Sequence, residues 1–459
     1  MDTFLQTITS FSNISYLTFL LLTIILFYVF NRSVLFLLLA SIFFYATFSI
    51  EYCLLLLILC LINYITGAVL AEHRNKIILI LGIALNIGVL IVFRYTNFIL
   101  QNLRDIHLIT QPDVAISILQ PLGISFFTFE FLHYLIDVSR GNKPIKNFIK
   151  FLLFPFFFPT QIAGPIKRYE KFLPQLKKKR VDISMIQEGI LLIIKGLFKK
   201  LVLADNLALF VAPGFTGDAN AWTTILAAYA FTFQIFFDFS GYTDIGRGSA
   251  LLLGIKIPEN FLQPYLATNM KEFWQRWHVT LMKWFTDYVY IPLGGNRVPK
   301  ARWIINVIIV FILSGLWHGT AWHFVLWGAY NGILVILSGS FQPLKMIPHR
   351  RLKRIMSILI TFHLVVIGWI IFRASDAKIA LKMIKSILHF QINTIQITDS
   401  LFFIIVLLSL SIWYQIIIRQ LRPASKGAYI FRYLSYGIAI VLIILHLANQ
   451  PAQFIYFQF

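Results

Sequence analysis

The sequence predicts an all-α polytopic membrane protein with about 11 to 13 membrane segments, and three observations carry that expectation. Hydrophobic residues make up 58% of the 459-residue chain and charged residues only 13%, against roughly 45–50% and about 25% in soluble domains. Mean hydropathy is +0.77. Apolar runs of roughly 17–25 residues, the length that crosses a bilayer as a helix, recur along the whole chain. The 40 Lys and Arg outnumber the 19 Asp and Glu, for a net charge of +21. With no aromatic-basic nucleic-acid module present, that excess reads as basic loops on the cytoplasmic side, meeting anionic headgroups, with no nucleic acid as partner.

Apolar spans fall near 14–30, 33–49, 52–70, 77–93 and 114–136. Arg32 in the first loop, His73, Arg74 and Lys76 in the third, and Arg140, Lys143 and Lys146 in the fifth place those loops inside and the N-terminus outside. No cleavable signal peptide is expected, because the first apolar run lacks a basic leader and a small-residue cleavage site. Residues 148–166 are short, broken by Pro155 and Pro159, and flanked on both sides by basic loops. They read as a re-entrant segment, since irregular backbone at membrane depth survives only against protein or a cavity. Spans near 187–204 and 221–237 cross out and back. The polar stretch 258–302, with Lys271, Glu272, Arg276 and Lys283, reads as amphipathic helices at the cytoplasmic face. Spans near 303–317 and 321–339 form a hairpin, and spans near 355–372, 400–418 and 433–449 leave the C-terminus outside. No linker or repeat interrupts this, so the chain reads as one integrated domain: N-terminal helices 1–147, a core 148–340 and C-terminal helices 341–459. Cys53 and Cys60 lie on one apolar helix about 10 Å apart in rise, too far for a disulfide.

Few groups in this apolar chain can do chemistry. His318 ends the apolar stretch "IINVIIVFILSGLWHG", 16 residues beyond Arg302. At ~1.5 Å per residue that is about 24 Å into a roughly 30 Å core. An ionisable group at such depth marks a functional site by default. "FFDFSGYTD" carries Asp238, Tyr242 and Asp244, whose carboxylates read first as structural partners for Tyr, Arg or backbone groups. In "KEFWQRWH", a helix would put Trp274, Trp277 and His278 on one face with Arg276 offset. Ser314 and Trp317 precede His318. His323 reads as packing, and His73, His107, His349 and His389 carry no motif. No Walker loop, dinucleotide fingerprint, zinc spacing or nucleophile elbow occurs, so no metal and no tightly bound cofactor is expected. These residues leave two classes open, an intramembrane enzyme using a buried histidine and a transporter relaying protons through His and Asp. A transporter of inverted repeats should carry a matching pair of broken helices. Only one is found, which favours the enzyme.

"FFDFSGYTDIGRGSALLLGIKIPENFLQPYLATNMKEFWQRWHVTL", "DYVYIPLGGNR", "SGLWHG", "IAGPIKRYEKFLPQL" and the ending "QFIYFQF" together resemble the membrane-bound O-acyltransferase family. The resemblance runs over nearly the whole chain and is most specific in 121–332. Within the family it points to the bacterial branch of alginate O-acetylation proteins and peptidoglycan O-acetyltransferases. It implies a ring of helices around a central tunnel in the cytoplasmic (inner) membrane. It implies acetyl-CoA as donor substrate, an exported polysaccharide as final acceptor, and a periplasmic or surface protein as an intermediate partner. His318 matches the family's near-invariant histidine and His278 its second polar position. Trp274, Trp277, Trp317, Asp238, Tyr242, Asp244, Arg276 and Ser314 would line the tunnel or bind substrate. Thr286, Asn331 and Arg247 depart from the branch pattern, which bears on donor or partner contacts. The D-alanyl transfer proteins of teichoic acids share the "KEFW" to "RWH" region and form the alternative.

Overall fold

Long apolar helices need only defined ends to stack in a bilayer, and the sequence supplies those ends. In the computed structural model, which describes residues 8–109, 119–162, 164–177, 182–340, 349–389, 426–447 and 454–455, Ser33, Ser49 and Asn75 cap three successive helices. Each side chain accepts a backbone N–H, from Phe36, Tyr52 and Ile77 respectively, satisfying donors a helix start leaves unpaired. The chain is helical, with no strand among the described residues. Ile50–His73, Lys76–Asp105, Lys300–His318 and Arg350–Arg373 are long and apolar enough to cross a membrane by length and composition. Ile14–Val29, Val34–Ala46, Trp322–Ser338 and Leu434–Leu447 are shorter apolar helices. The expected span 400–418 lies outside the described residues, as does the start of the span expected over 114–136.

Two compact units divide the chain, one of residues 1–190, 246–259 and 286–288, the other of 191–245, 260–285 and 289–459. In the first, Asn63 and Asn86 exchange amide hydrogen bonds at 3.1 and 2.8 Å between neighbouring helices. Such reciprocal pairing satisfies both amides where lipid offers no partner. Helix Phe148–Phe156 contains Pro155, breaks at Phe157 and restarts as Phe158–Gln161, with 151–162 wholly buried. Its nine residues rise only about 14 Å, half a bilayer core. The ion pair of Lys167 with Glu130 (2.6 Å), the bond from Tyr288 to Asp137 (2.6 Å) and the pair of Arg168 with Asp287 (2.8 Å) tie that segment's exit to helix Ile124–Ser139 and to residues 286–288. Cys53 and Cys60 are buried free thiols.

The second unit departs from the sequence expectation in two helices. The span expected to end near 237 continues as one helix, Ala221–Leu252, of 32 residues. Asp238 and Asp244 do not interrupt it, because their carboxylates find lysines on a neighbour. That neighbour is Ile183–Leu197, continued through a π-helical stretch, Phe198–Ala204, into Asp205–Val211. Such a π-helical insertion shifts the helix register and recurs at functional sites.

Helices Lys300–His318 and Trp322–Ser340 form the expected hairpin, and glycine sets their spacing. A Cβ on Gly315 would lie 2.2 Å from the Phe324 carbonyl oxygen, and one on Gly328 would lie 2.3 Å from that of Phe311. Only hydrogen fits at either crossing. Gly315→Val should therefore lower stability by about 1–3 kcal/mol through overpacking. Gly88→Ala, where a Cβ meets nothing within 4 Å, should cost nothing; thermal unfolding in detergent compares the two.

Candidate active site

The histidine at 278 owes its position to a break that composition does not announce. Helix Met270–Arg276 starts on the Asn269 cap, whose side chain accepts the Glu272 N–H, and ends at Arg276. Trp277 is then extended (φ −95°, ψ 129°) and His278 takes the left-handed region at φ 45° before a new helix, Val279–Phe285. The expected single face of Trp274, Trp277 and His278 is thus corrected: only Trp274 is helical. The cause is tertiary. Asn260 accepts the N–H of Val279 on its backbone carbonyl (3.0 Å), and its side-chain oxygen accepts the Thr280 N–H (3.2 Å) and hydroxyl (2.7 Å). Leu262 N–H also donates to the Arg276 carbonyl at 2.9 Å. These four bonds hold a conformation that a non-glycine residue adopts only under such constraint.

His278 is 1% exposed and His318 4%. The His278 ring packs on Phe239 (4.8 Å) and on Trp317 (5.9 Å), and Trp317 in turn meets His318 (4.7 Å). His318 lies edge-on to Trp327 (5.0 Å) and Phe372 (5.3 Å). Trp327 continues to Trp274 (5.5 Å) and Trp369 (6.0 Å), and Trp369 to Trp277 (4.9 Å). A chain of indoles therefore runs from Trp317, between the two imidazoles, by way of His318 to Trp327, Trp369 and Trp277. Neither ring nitrogen of His278 meets a hydrogen-bond partner on another described residue, nor do the buried Ser314 hydroxyl and the indole N–H groups of Trp274 and Trp369. Buried polar groups are normally paired, so this concentration inside an aromatic enclosure makes the place a candidate for receiving polar atoms of another molecule.

The remaining expected residues divide. Asp238 pairs with Lys200 (2.9 Å) and accepts the Ile455 backbone N–H (2.7 Å), and Asp244 pairs with Lys199 (2.9 Å) and Lys195 (3.4 Å). These carboxylates thus find partners in lysines and a backbone amide rather than in the Tyr or Arg expected. Tyr242 stacks on Phe454 at 4.2 Å. Arg276 stands apart, bonded to Glu272 and partly exposed. The residues that sequence reasoning missed are Asn260, Phe239, Trp327, Trp369, Phe372 and the three lysines. Only the lysines left a signal, three cations in the apolar run "LLIIKGLFKK". They reach the aspartates because Gly196 and Gly241 meet reciprocally, a Cβ on either falling 2.6–2.8 Å from the other's carbonyl oxygen.

Fold and site together define a polytopic helical membrane protein with a buried pair of histidines inside an aromatic enclosure. The chain belongs to the membrane-bound O-acyltransferase family, whose model matches residues 10–375, and it is an acyltransferase. It is 36% identical to a peptidoglycan O-acetyltransferase of Helicobacter pylori, over 76% of this chain and 73% of that one. It is 32% identical to a probable alginate O-acetylase of Pseudomonas putida, over 92% and 94% of the two chains. A teichoic acid D-alanyltransferase of Bacillus subtilis is 32% identical over 55% of this chain and 68% of its own.

Two substitutions test the supports. Lys200→Met strands Asp238 and should cost about 3–5 kcal/mol; adding Asp238→Asn should recover part of the loss, read by thermal unfolding of all three proteins. Asn260→Ala removes both side-chain bonds to Thr280 and should cost about 1–3 kcal/mol, with acyl transfer falling as His278 loses its clamp. Arg276→Ala should change stability by less than about 1 kcal/mol in the same assay.

Proposed function

We propose that this enzyme takes an acetyl group from cytoplasmic acetyl-CoA and passes it across a bacterial cytoplasmic membrane for O-acetylation of an exported cell-surface polysaccharide. The observation that carries the reading is the placement of His278 and His318 on either side of Trp317 in a dry aromatic enclosure. Likeness to O-acetyltransferases over 76–92% of the chain, against 55% for the D-alanyl enzyme, favours acetyl. Loop charges orient the chain with both termini outside. They put the foot of helix Lys300–His318 in the cytoplasm and His318 most of the way across.

His318 acts as general base. Its ring takes the proton of an acceptor hydroxyl as that oxygen attacks the thioester carbonyl; the carbon–sulfur bond breaks and the coenzyme thiolate leaves, to be protonated. His278 donates a hydrogen bond to the carbonyl oxygen as it gains charge, an oxyanion role. The Ser314 hydroxyl, one turn before His318, serves the same reacting group. Trp274, Trp277 and Trp317 wall the passage and exclude water that would hydrolyse the thioester. Basic residues of the cytoplasmic loops hold the phosphates of coenzyme A. The first acceptor is a serine or tyrosine hydroxyl of a periplasmic or surface partner, which then acetylates the glycan.

The test is turnover of labelled acetyl-CoA by the purified protein in membranes, with and without His318→Ala. The expected result is consumption of thioester that falls at least about 100-fold in the variant, the usual scale for loss of a general base. Turnover indifferent to the substitution would remove His318 from the chemistry. No turnover of acetyl-CoA, with discharge of a D-alanyl carrier protein instead, would establish the teichoic acid reading.

A further inference from the structure

The reaction as proposed leaves one buried indole without a task. Trp327 is 1% exposed and meets four rings: His318 edge-on at 5.0 Å, Phe372 at 5.2 Å, Trp274 at 5.5 Å and Trp369 at 6.0 Å. The hairpin dictates where it points. Gly328 crosses at the Phe311 carbonyl and Gly315 at the Phe324 carbonyl, so Trp327 stands level with Ile312, about 9 Å short of His318 along the axis. Helical side chains lean toward the N-terminus of their own helix. In an antiparallel pair that tilts the Trp327 indole toward the tip of the hairpin and the His318 ring back from it. The two rings therefore meet at the level of Ser314, whose hydroxyl shares the His318 face at i, i+4.

The indole is also held from behind. At Gly315 and Gly328 the two backbones already touch, with no room for a methyl group. The Asn331 side chain donates to the Trp327 carbonyl at 2.8 Å. Trp274 and Trp369, on the far side of the indole, are 4% and 2% exposed. The Gly368 backbone lies along its edge, where a Cβ would fall 3.8 Å from Nε1. A wall packed this closely does not make room for added methylenes without cost.

We infer that Trp327 sets the length of the acyl group transferred: a two-carbon acyl group held at His318 and Ser314 ends against its indole, and a longer chain collides with it. This rests on the reading above that an acyl thioester reacts at His318. An apolar pocket distinguishes chains by about 10–200-fold for each methylene, so one rigid ring suffices to exclude a six-carbon acyl group. Trp327 takes no part in moving protons; it determines specificity.

Acetyl-, butyryl- and hexanoyl-CoA, supplied separately to the full-length protein in nanodiscs, test the stop. The wild type should consume acetyl-CoA at least about 100-fold more efficiently, in kcat/KM, than hexanoyl-CoA. Trp327→Leu should narrow that ratio at least about tenfold, through a rise in hexanoyl-CoA consumption itself. Trp327→Phe, a smaller change, should admit butyryl-CoA and still reject hexanoyl-CoA. Trp369→Leu loosens the same wall one ring further from His318; thermal unfolding should show a comparable loss of stability, with the chain-length preference unchanged. Where a Trp327 variant turns over no thioester, the same ratio is read from binding of unreactive ketone analogues, in which a methylene separates sulfur from carbonyl. A wild type without preference, a preference unmoved in both Trp327 variants, or an equal relaxation in Trp369→Leu overturns the inference. A wild type that consumes no acyl-CoA of any length removes the donor reading and this inference with it. His318-dependent consumption of acetyl-CoA with a preference that ignores Trp327 removes the inference alone.

Discussion

A charge placed in hydrocarbon must be neutralised by the protein itself, and the lysine–aspartate network between helices Ile183–Leu197 with its π-helical extension and Ala221–Leu252 is where that constraint bears hardest. Lys200, 2% exposed, lies between Asp205 and Asp238; Asp244 lies between Lys199 and Lys195. Removing one partner would leave a buried charge uncompensated, so the register between the two helices is fixed to within a residue. Phe239 follows Asp238 directly, and the same register delivers its ring to His278. Asp238 also takes the Ile455 N–H, which brings Phe454 against Tyr242 and Phe239. Electrostatic necessity at one point of the helix thus becomes geometric placement one residue later.

The imidazole site uses the opposite means. His278 stands in a strained conformation, and its strain, on the order of 1–3 kcal/mol, is borne by Asn260 and by aromatic packing rather than by bonds to its own ring. A ring held by its backbone and its faces keeps both nitrogens available to a substrate. His318 is placed differently, by a helix end and a glycine-spaced hairpin. For His278 the device fixes a side chain without consuming its polar atoms, which is what preorganisation for transfer requires.

The apolar framework was legible because membrane helices must be long and apolar, and His318 was legible because a lone imidazole at the end of such a run has no cheap structural reason to be there. The broken helix over 148–161 was legible from Pro155 and Pro159. The break at Trp277 was not. Arg276, Trp277 and His278 contain neither glycine nor proline, and "KEFWQRWH" reads locally as helix; the competing hydrogen bonds come from Asn260, 18 residues earlier. The opposite error befell Ala221–Leu252, where the span was ended near 237, just before Asp238 and Asp244. Their partners lie some 40 residues away in sequence, and pairing turned apparent breakers into interior positions. Trp327, Trp369 and Phe372 escaped notice because aromatic residues in apolar helices look like ordinary packing until the fold joins them in a chain of rings.

The two features, charged network and imidazole enclosure, are neighbours, and their charge balance matters for the chemistry. Asp205, Asp238 and Asp244 face Lys195, Lys199 and Lys200, so each of these carboxylates has a lysine against it. A carboxylate left over beside His278 would hold a proton on the ring by Coulomb attraction, strongly so where the effective dielectric is low. A surplus lysine would attract and misplace the negative charge that grows on an acyl carbonyl during transfer. Internal pairing removes both effects. If the imidazoles act as proposed, the field around them is then set mainly by aromatic rings and by the polar atoms the substrate brings, and catalysis would depend on where those atoms are put rather than on a standing charge.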